Sequence, residues 1–194
     1  MKHTVLAKKR IYDGFCKLDE LTLQYDQFEG GQSKAISREL VDRRPAAAAV
    51  LYDPALQNLV FVEQFRVGAQ DWLMELVAGV IDEGDTPLSA IEREITEETG
   101  LTTGKVIEAH QFYSSPGFLN EYVWLFCAKV DSSNAEGVYG LATENEDIRV
   151  HTMAVDDVKQ KLFSGYFNNA FTLLGLNWFF LNKADVDQQF AQEA

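Results

Sequence analysis

Hydrophobic and polar positions along the chain fall into two regimes that meet near Pro45. Residues 4–12, 15–28 and 34–41 mix β-branched and aromatic side chains with polar ones, and are broken at Asp13-Gly14 and at 29–31. That pattern predicts a three-stranded meander. A meander of about forty residues is marginal alone, so it is expected to pack on its own main domain or on a partner chain. Beyond Pro45, residues 46–52 and 59–65 are nearly continuous apolar runs, as expected of central strands covered on both faces. Residues 72–77 read as a further short strand. Residues 87–99 predict a helix, with Thr86 as N-cap, Pro87 in the first helical position and Gly100 as the stop. Strands are predicted at 105–113, 121–130 and 148–154, a loop at 132–146, and helices at 155–163 and 169–181. The last ten or so residues are polar and are expected to fray.

On the 87–99 helix, Leu88, Ile91 and Ile95 recur at spacings of three and four and predict the core-facing stripe. Glu94 and Glu98 stack four apart beside it, with Glu97 on the other side of Glu94. Like charges at this spacing repel, and Arg93, four residues before Glu97, relieves only part of that. A hard divalent cation such as Mg²⁺ would relieve the rest. A plain solvated acidic face carries the same pattern, and the helix by itself does not choose between the two.

Charge and composition narrow the partners. The 194 residues fit one domain of ordinary size with a small appendage, and 46% hydrophobic content supplies a sizeable core. Thirty acidic against 17 basic residues give a net charge of −13. Such a surface repels nucleic acid and anionic membranes, so neither is expected as a partner. A phosphate-bearing substrate would need bound cations or a local group of arginines. Cys16 and Cys127 are too few for a disulfide framework or a thiolate zinc site, and are expected as buried reduced thiols. No signal-peptide core and no apolar run of membrane-spanning length is seen, so a cytoplasmic location is expected.

The segment from Gly79 to Leu101 supplies the missing context. It resembles the Nudix box, G-x5-E-x7-R-E-U-x-E-E-x-G-U with U aliphatic, at eight of nine specified positions. Given average residue usage, chance would produce this on the order of once in 10⁵ chains. The departure is Asp85, which keeps a carboxylate where the box has Glu. Flanking segments are similar to the ADP-ribose pyrophosphatase branch of that superfamily: 62–66 (VEQFR), 75–79 (ELVAG), 114–117 (SSPG) and 140–151 (GLATENEDIRVH). Pro116 stands sixteen residues after Gly100, a position typical of ADP-ribose hydrolases.

The resemblance implies an α/β/α sandwich with a small N-terminal antiparallel β-domain. It divides the chain into 1–44 and 45–194, with two chains forming a homodimer by exchanging the β-domains. It further implies that Glu94, Glu98, Glu146 and the backbone carbonyl of Ala78 hold Mg²⁺, or Mn²⁺, as two or three ions per site. Glu97 is implied either as a further ligand or as a support for Glu98 through water, and Arg93 as the residue that orients the glutamates. Glu144 is the implied general base, with Glu146 beside it on the same loop. Arg66 is implied near the diphosphate and terminal ribose, Arg38 near the adenine, and Phe15 as an aromatic stacked on adenine from the other subunit. Ser115, Pro116, Glu63 and Glu121 complete the implied substrate contacts. The implied reaction is hydrolysis of ADP-ribose to AMP and ribose 5-phosphate. The box reports diphosphate chemistry and not the base, so another nucleoside diphosphate sugar, such as GDP-mannose or ADP-glucose, stays open. A non-catalytic ADP-ribose-binding module is a further alternative, against which stands the retention of Glu94, Glu97 and Glu98.

Overall fold

The computed structural model describes residues 1–192, with the side chain of Glu144 outside the description. The chain divides into two compact units, Met1–Pro45 with Tyr113–Tyr122, and the remainder.

The first unit is built on a sheet of β1 (His3–Asp13), β2 (Lys17–Tyr25) and β3 (Ile36–Asp42), paired antiparallel in the order β1-β2-β3. All eleven residues of β1 are exposed, including Val5, Leu6, Ile11 and Tyr12. The segment from Tyr113 to Tyr122 joins β3 through a parallel bridge between Val41 and Leu119 and through Asn120 Nδ2, which donates to Asp42. Asp19 on β2 is fully buried. It lies against the Arg10 guanidinium, and Lys8 Nζ is 2.8 Å away.

The second unit is a mixed sheet between two helical layers. Its strands are β4 (Ala46–Asp53), β5 (Asn58–Arg66), β6 (Asp71–Glu75), β7 (Val77–Val80), β8 (Val106–Tyr113), β9 (Tyr122–Lys129), β10 (Gly137–Tyr139) and β11 (Ile148–Ala154). The order is β10-β11-β5-β4-β9-β8, with β6 paired to β5 and β7 to β4. Strand β4 is central and buried on both faces, as its apolar run predicts. Ala46, Ala48, Val50 and Tyr52 face one core with α2 (Val155–Phe163) and α3 (Ala170–Ala191). Ala47, Ala49 and Leu51 face the other, with Ala90, Ile91 and Ile95 of α1 (Pro87–Thr99). The period-two alternation of one strand therefore feeds two cores, which is the α/β/α sandwich expected from the sequence.

Several expectations are corrected. Residues 72–77 form no single strand: β6 ends at Glu75 and β7 begins at Val77, because the chain leaves β5 there to pair with β4. The loop at 132–146 contains β10 and a 3-10 turn at Ala142–Glu144. The tail does not fray where expected, since α3 continues to Ala191 with Val186 and Phe190 buried on one side. Leu88 is exposed and falls outside the helix stripe, which runs through Ile91, Ile95 and Glu98. Cys127 is buried as expected, whereas Cys16 is only half-buried.

Candidate active site

Helix α1 sits where its ends dictate. Thr86 accepts from the Ser89 N–H, Ser89 returns a hydrogen bond to the Thr86 N–H, and Gly100 closes the helix at φ 69°, a conformation that side chains with a Cβ resist. Those stops fix where the helix begins and ends, burial of Ala90, Ile91 and Ile95 fixes its rotation, and Glu98, seven residues after Ile91, falls on the same buried stripe. Glu98 is 2% exposed. Its Oε2 has no hydrogen-bond partner among the described residues, while the Ala78 backbone amide supports the carboxylate. Burial raises the Glu98 pKa well above the ordinary carboxylate range, the charges of Glu94 and Glu146 add to that, and Arg66 opposes it.

Glu94, one turn earlier, lies against β7. A Cβ on Gly79 would overlap its carboxylate, so the strand approaches the acid closely because glycine stands there. Burial pushes the Glu94 carboxyl up to about 7, with Glu97 and Glu146 adding to the rise and Arg93 opposing it. Arg93 spans the group: Nη1 is 2.9 Å from Glu94 Oε1 and donates to Glu97 Oε2 at 2.7 Å, and Nη2 donates to the Val80 carbonyl at 3.3 Å. Asp85, the departure from the box, is 3.8 Å from the Arg93 Nε.

The late loop joins α1 through the Gly140 N–H, which donates to the Glu97 carbonyl at 3.3 Å. Glu146 bears electrostatically on both Glu94 and Glu98, yet its own Oε2 accepts from the Leu141 N–H at 3.1 Å. Glu144 ends the 3-10 turn, and its side chain, the predicted base, lies outside the described residues. Among the described residues no three Asp, Glu, His or Cys side chains converge as a ready-made metal cage. Arg93 and the Leu141 amide occupy the oxygens that would have to turn inward.

The structure thus gathers Ala78, Arg93, Glu94, Glu97, Glu98, Glu146 and Arg66 in the second unit. Glu63 is not brought to them. Alternation along β5 puts Glu63 on the face of Phe61, where it meets His151 Nε2 at 2.9 Å, and Arg66 on the face of Val62. In the first unit, Phe15 is almost fully exposed, with the Arg43 guanidinium carbon 5.4 Å from its ring centre, and Arg43 reaches Glu121 at 3.8 Å. Arg38 is exposed and donates to the Ser37 carbonyl at 2.8 Å. Ser115 turns the chain by accepting through its carbonyl from the Phe118 and Leu119 amides, with Pro116 exposed on that turn.

Sequence reasoning passed over Arg43, Gln64, Glu75 and Asn169. Gln64 has a buried Nε2 with no hydrogen-bond partner among the described residues. Glu75 is a buried acid between Arg66 and Asn169. Only an acid set directly before an apolar run gave any signal of it, and such acids are common.

Comparison with known proteins places these features. The NUDIX domain family matches residues 42–170. An ADP-ribose pyrophosphatase of Haemophilus influenzae is 35% identical, covering 96% of this chain and 89% of the relative. An ADP-ribose pyrophosphatase of Escherichia coli (strain K12) is 34% identical, covering 96% and 92%. A GDP-mannose pyrophosphatase of Salmonella typhimurium is 31% identical, covering 90% and 93%. With a motif helix whose buried acids face β7, and likeness running along nearly the whole chain, the protein belongs to the Nudix family.

Proposed function

We propose that this protein is a Mg²⁺-dependent pyrophosphohydrolase that cleaves the diphosphate of ADP-ribose to AMP and ribose 5-phosphate. The observation that carries this is Glu98: a buried carboxylate with an unpartnered oxygen, beside Glu94 and Glu146 and facing the positive charge of Arg66. Buried charge of one sign is costly unless an opposite charge joins it. Likeness to two bacterial ADP-ribose pyrophosphatases along 96% of the chain supports the choice of substrate.

The residues fit a divalent cation. All the donors are oxygens, the Glu98 oxygen is available, and the glycine at 79 leaves the Glu94 carboxylate room against β7. Mg²⁺ asks for only one or two carboxylates and completes its shell with water and substrate phosphate, so the lack of a three-acid cage is no obstacle. Glu94, Glu98, Glu146 and the Ala78 carbonyl would hold two or three ions, with Mn²⁺ able to replace Mg²⁺. When bound, the metal neutralises the diphosphate and makes its phosphorus more open to attack. Arg93 keeps Glu94 and Glu97 in place through its two short contacts. Arg66 binds the diphosphate by its guanidinium, which forks onto paired oxygens. Glu144 takes the proton of the attacking water, with Glu146 next to it as the alternative acceptor.

The roles of Phe15, Arg38 and Pro116 toward adenosine, and of Ser115, Glu63 and Glu121 toward the substrate, belong to the same proposal. So do the cytoplasmic location and a homodimer formed by exchange of the N-terminal sheet. An eleven-residue β1 that is exposed throughout supports the need for a partner surface. Among the described residues no helix is long and apolar enough to cross a membrane.

Incubation of the purified protein with ADP-ribose and Mg²⁺ should release phosphatase-sensitive AMP and ribose 5-phosphate. No such product would remove the hydrolase reading. Tight ADP-ribose binding without turnover in any divalent metal would install the binding-module reading instead. Likeness to a GDP-mannose pyrophosphatase supports a second substrate reading. A panel of ADP-ribose, ADP-glucose and GDP-mannose at matched concentration separates them, and equal rates on adenine and guanine sugars would overturn the choice made here.

A further inference from the structure

Arg66 is held at one end only. Its Nε–H donates to Glu75 Oε2 at 2.6 Å, while among the described residues its terminal nitrogens make no hydrogen bond. Glu75 is 2% exposed, and its other oxygen, Oε1, accepts from Asn169 Nδ2 at 2.5 Å. Asn169 is the N-cap of α3: its Oδ1 accepts from the Phe171 N–H at 2.9 Å and the Thr172 N–H at 3.1 Å. Those two donors fix which end of the amide is oxygen, so its NH₂ must face Glu75. Thr172 Oγ1 accepts from the Leu76 N–H at 3.1 Å and ties the residue after Glu75 to the same helical turn.

We propose that Glu75 and Asn169 are positioning residues that clamp Arg66 by its Nε and so present its terminal nitrogens as a fixed fork to a diphosphate. This rests on the reading above in which Arg66 contacts the diphosphate. Two physical consequences follow from the clamp. A free arginine loses considerable rotamer freedom when it binds, whereas a clamped one has lost it on folding, so less is lost when the ligand arrives. Arg66 also lies on the Val62 face of β5, the face that packs toward α1. Without a counter-ion of its own, the guanidinium would be drawn onto the acids of α1 and would cover oxygens that a cation needs. Glu75 supplies that counter-ion. A role limited to joining β5 to β6 accounts poorly for the pair, because the backbone ladder already joins the strands from Val62–Glu75 to Arg66–Asp71. A buried acid is also a weak staple compared with an apolar residue of the same size.

The test uses the full-length chain with Glu75→Gln, Asn169→Ser and Arg66→Lys, singly and with Arg66→Lys combined with each of the others. Serine caps a helix about as well as asparagine but is too short to reach Glu75, so Asn169→Ser separates positioning from helix stability. KM for ADP-ribose should rise about tenfold in Glu75→Gln and Asn169→Ser, the scale of one lost charge-assisted hydrogen bond, with kcat within a few-fold of wild type. In the Arg66→Lys background neither should add a further rise. Calorimetric binding of inorganic pyrophosphate without metal should weaken by the same factor and with the same lack of additivity. Unchanged KM and pyrophosphate affinity in folded variants, or effects that multiply with Arg66→Lys, would overturn the clamp. Wild type that binds pyrophosphate in this pattern but leaves ADP-ribose intact would sink the hydrolase reading and keep the clamp. Wild-type turnover with an effect of Arg66→Lys alone would do the reverse, and wild type that neither binds pyrophosphate nor turns over ADP-ribose would remove both.

Discussion

Asp19 in the first unit and Glu98 in the second are both buried acids, and they are handled in opposite ways. Asp19 in the N-terminal sheet is fully buried and met by Lys8 and Arg10, whose hydrogen bonds hold its carboxyl below the ordinary range. Glu98 on α1 is almost equally buried, yet like charges surround it, one oxygen has no partner, and its carboxyl is pushed well up. Among the described residues the first is bonded directly to two cations, whereas the second has only the more distant charge of Arg66 against two neighbouring acids. A buried carboxylate that serves only folding has its oxygens met within the chain, by a cation as at Asp19 or by amide and hydroxyl donors as at Asp53, because an unpaired buried charge destabilises. A buried oxygen with no partner among the described residues, as at Glu98, suits the ligand role proposed for it.

Glu98→Gln should sharpen the contrast most. We expect turnover with Mg²⁺ to fall at least about a hundredfold, since removing a metal ligand should cost no less than removing a residue that merely supports one. In EDTA the melting temperature should stay level or rise, because the change replaces a carboxyl whose charged form is disfavoured by burial with a neutral amide of the same size. A melting temperature that drops sharply in EDTA would show that Glu98 is a structural acid after all. Asp19→Asn should behave in the opposite manner, leaving kcat within a few-fold while the melting temperature falls by several degrees as Arg10 and Lys8 lose their buried partner and keep only the more exposed Asp13 and Asp42. Unchanged stability in that variant would break the comparison from the other side.

How much of this could be read along the chain depended on whether local chemistry decided it. Helix α1 has the predicted ends because Thr86, Pro87 and Gly100 are stop signals that act within a turn. β11 and α2 also begin and end where the pattern put them. The α3 tail was misjudged because Val186 and Phe190 form a two-residue stripe inside a polar stretch, and only the opposing core makes that stripe count. Leu88 was placed on the stripe and Glu98 beside it, although Ile91, Ile95 and Glu98 have the helical spacing. An acid in an apolar register is the exception that pattern reading discards. The Glu75–Asn169 contact joins residues 94 apart in sequence, and no spacing rule reaches that far.

A smaller effect tests whether cations bind at Glu98. Millimolar Mg²⁺ should raise the melting temperature of wild type by a few degrees and that of Glu98→Gln by much less, since a ligand stabilises only the state that binds it. Equal shifts in both would place the bound cation elsewhere.

The smallest expected effect lies in the acid range and concerns Asp19 alone. Its carboxyl has an ordinary value near 3.8 and a lowered value in the folded chain, with the Arg10 hydrogen bond as the main cause and that of Lys8 next. Between those two values the unfolded chain binds a proton that the folded chain does not. The stabilisation is therefore fully present above about pH 4 and is lost as pH falls through the lowered value. Chemical denaturation of wild type across that range should show the decline. Asp19→Asn, less stable at neutral pH, should show a shallower slope, so that the two stabilities converge toward acid. Parallel curves would mean that Lys8 and Arg10 do not favour the charged form of Asp19, and the opposition between the two buried acids would then be one of geometry without a matching difference in charge.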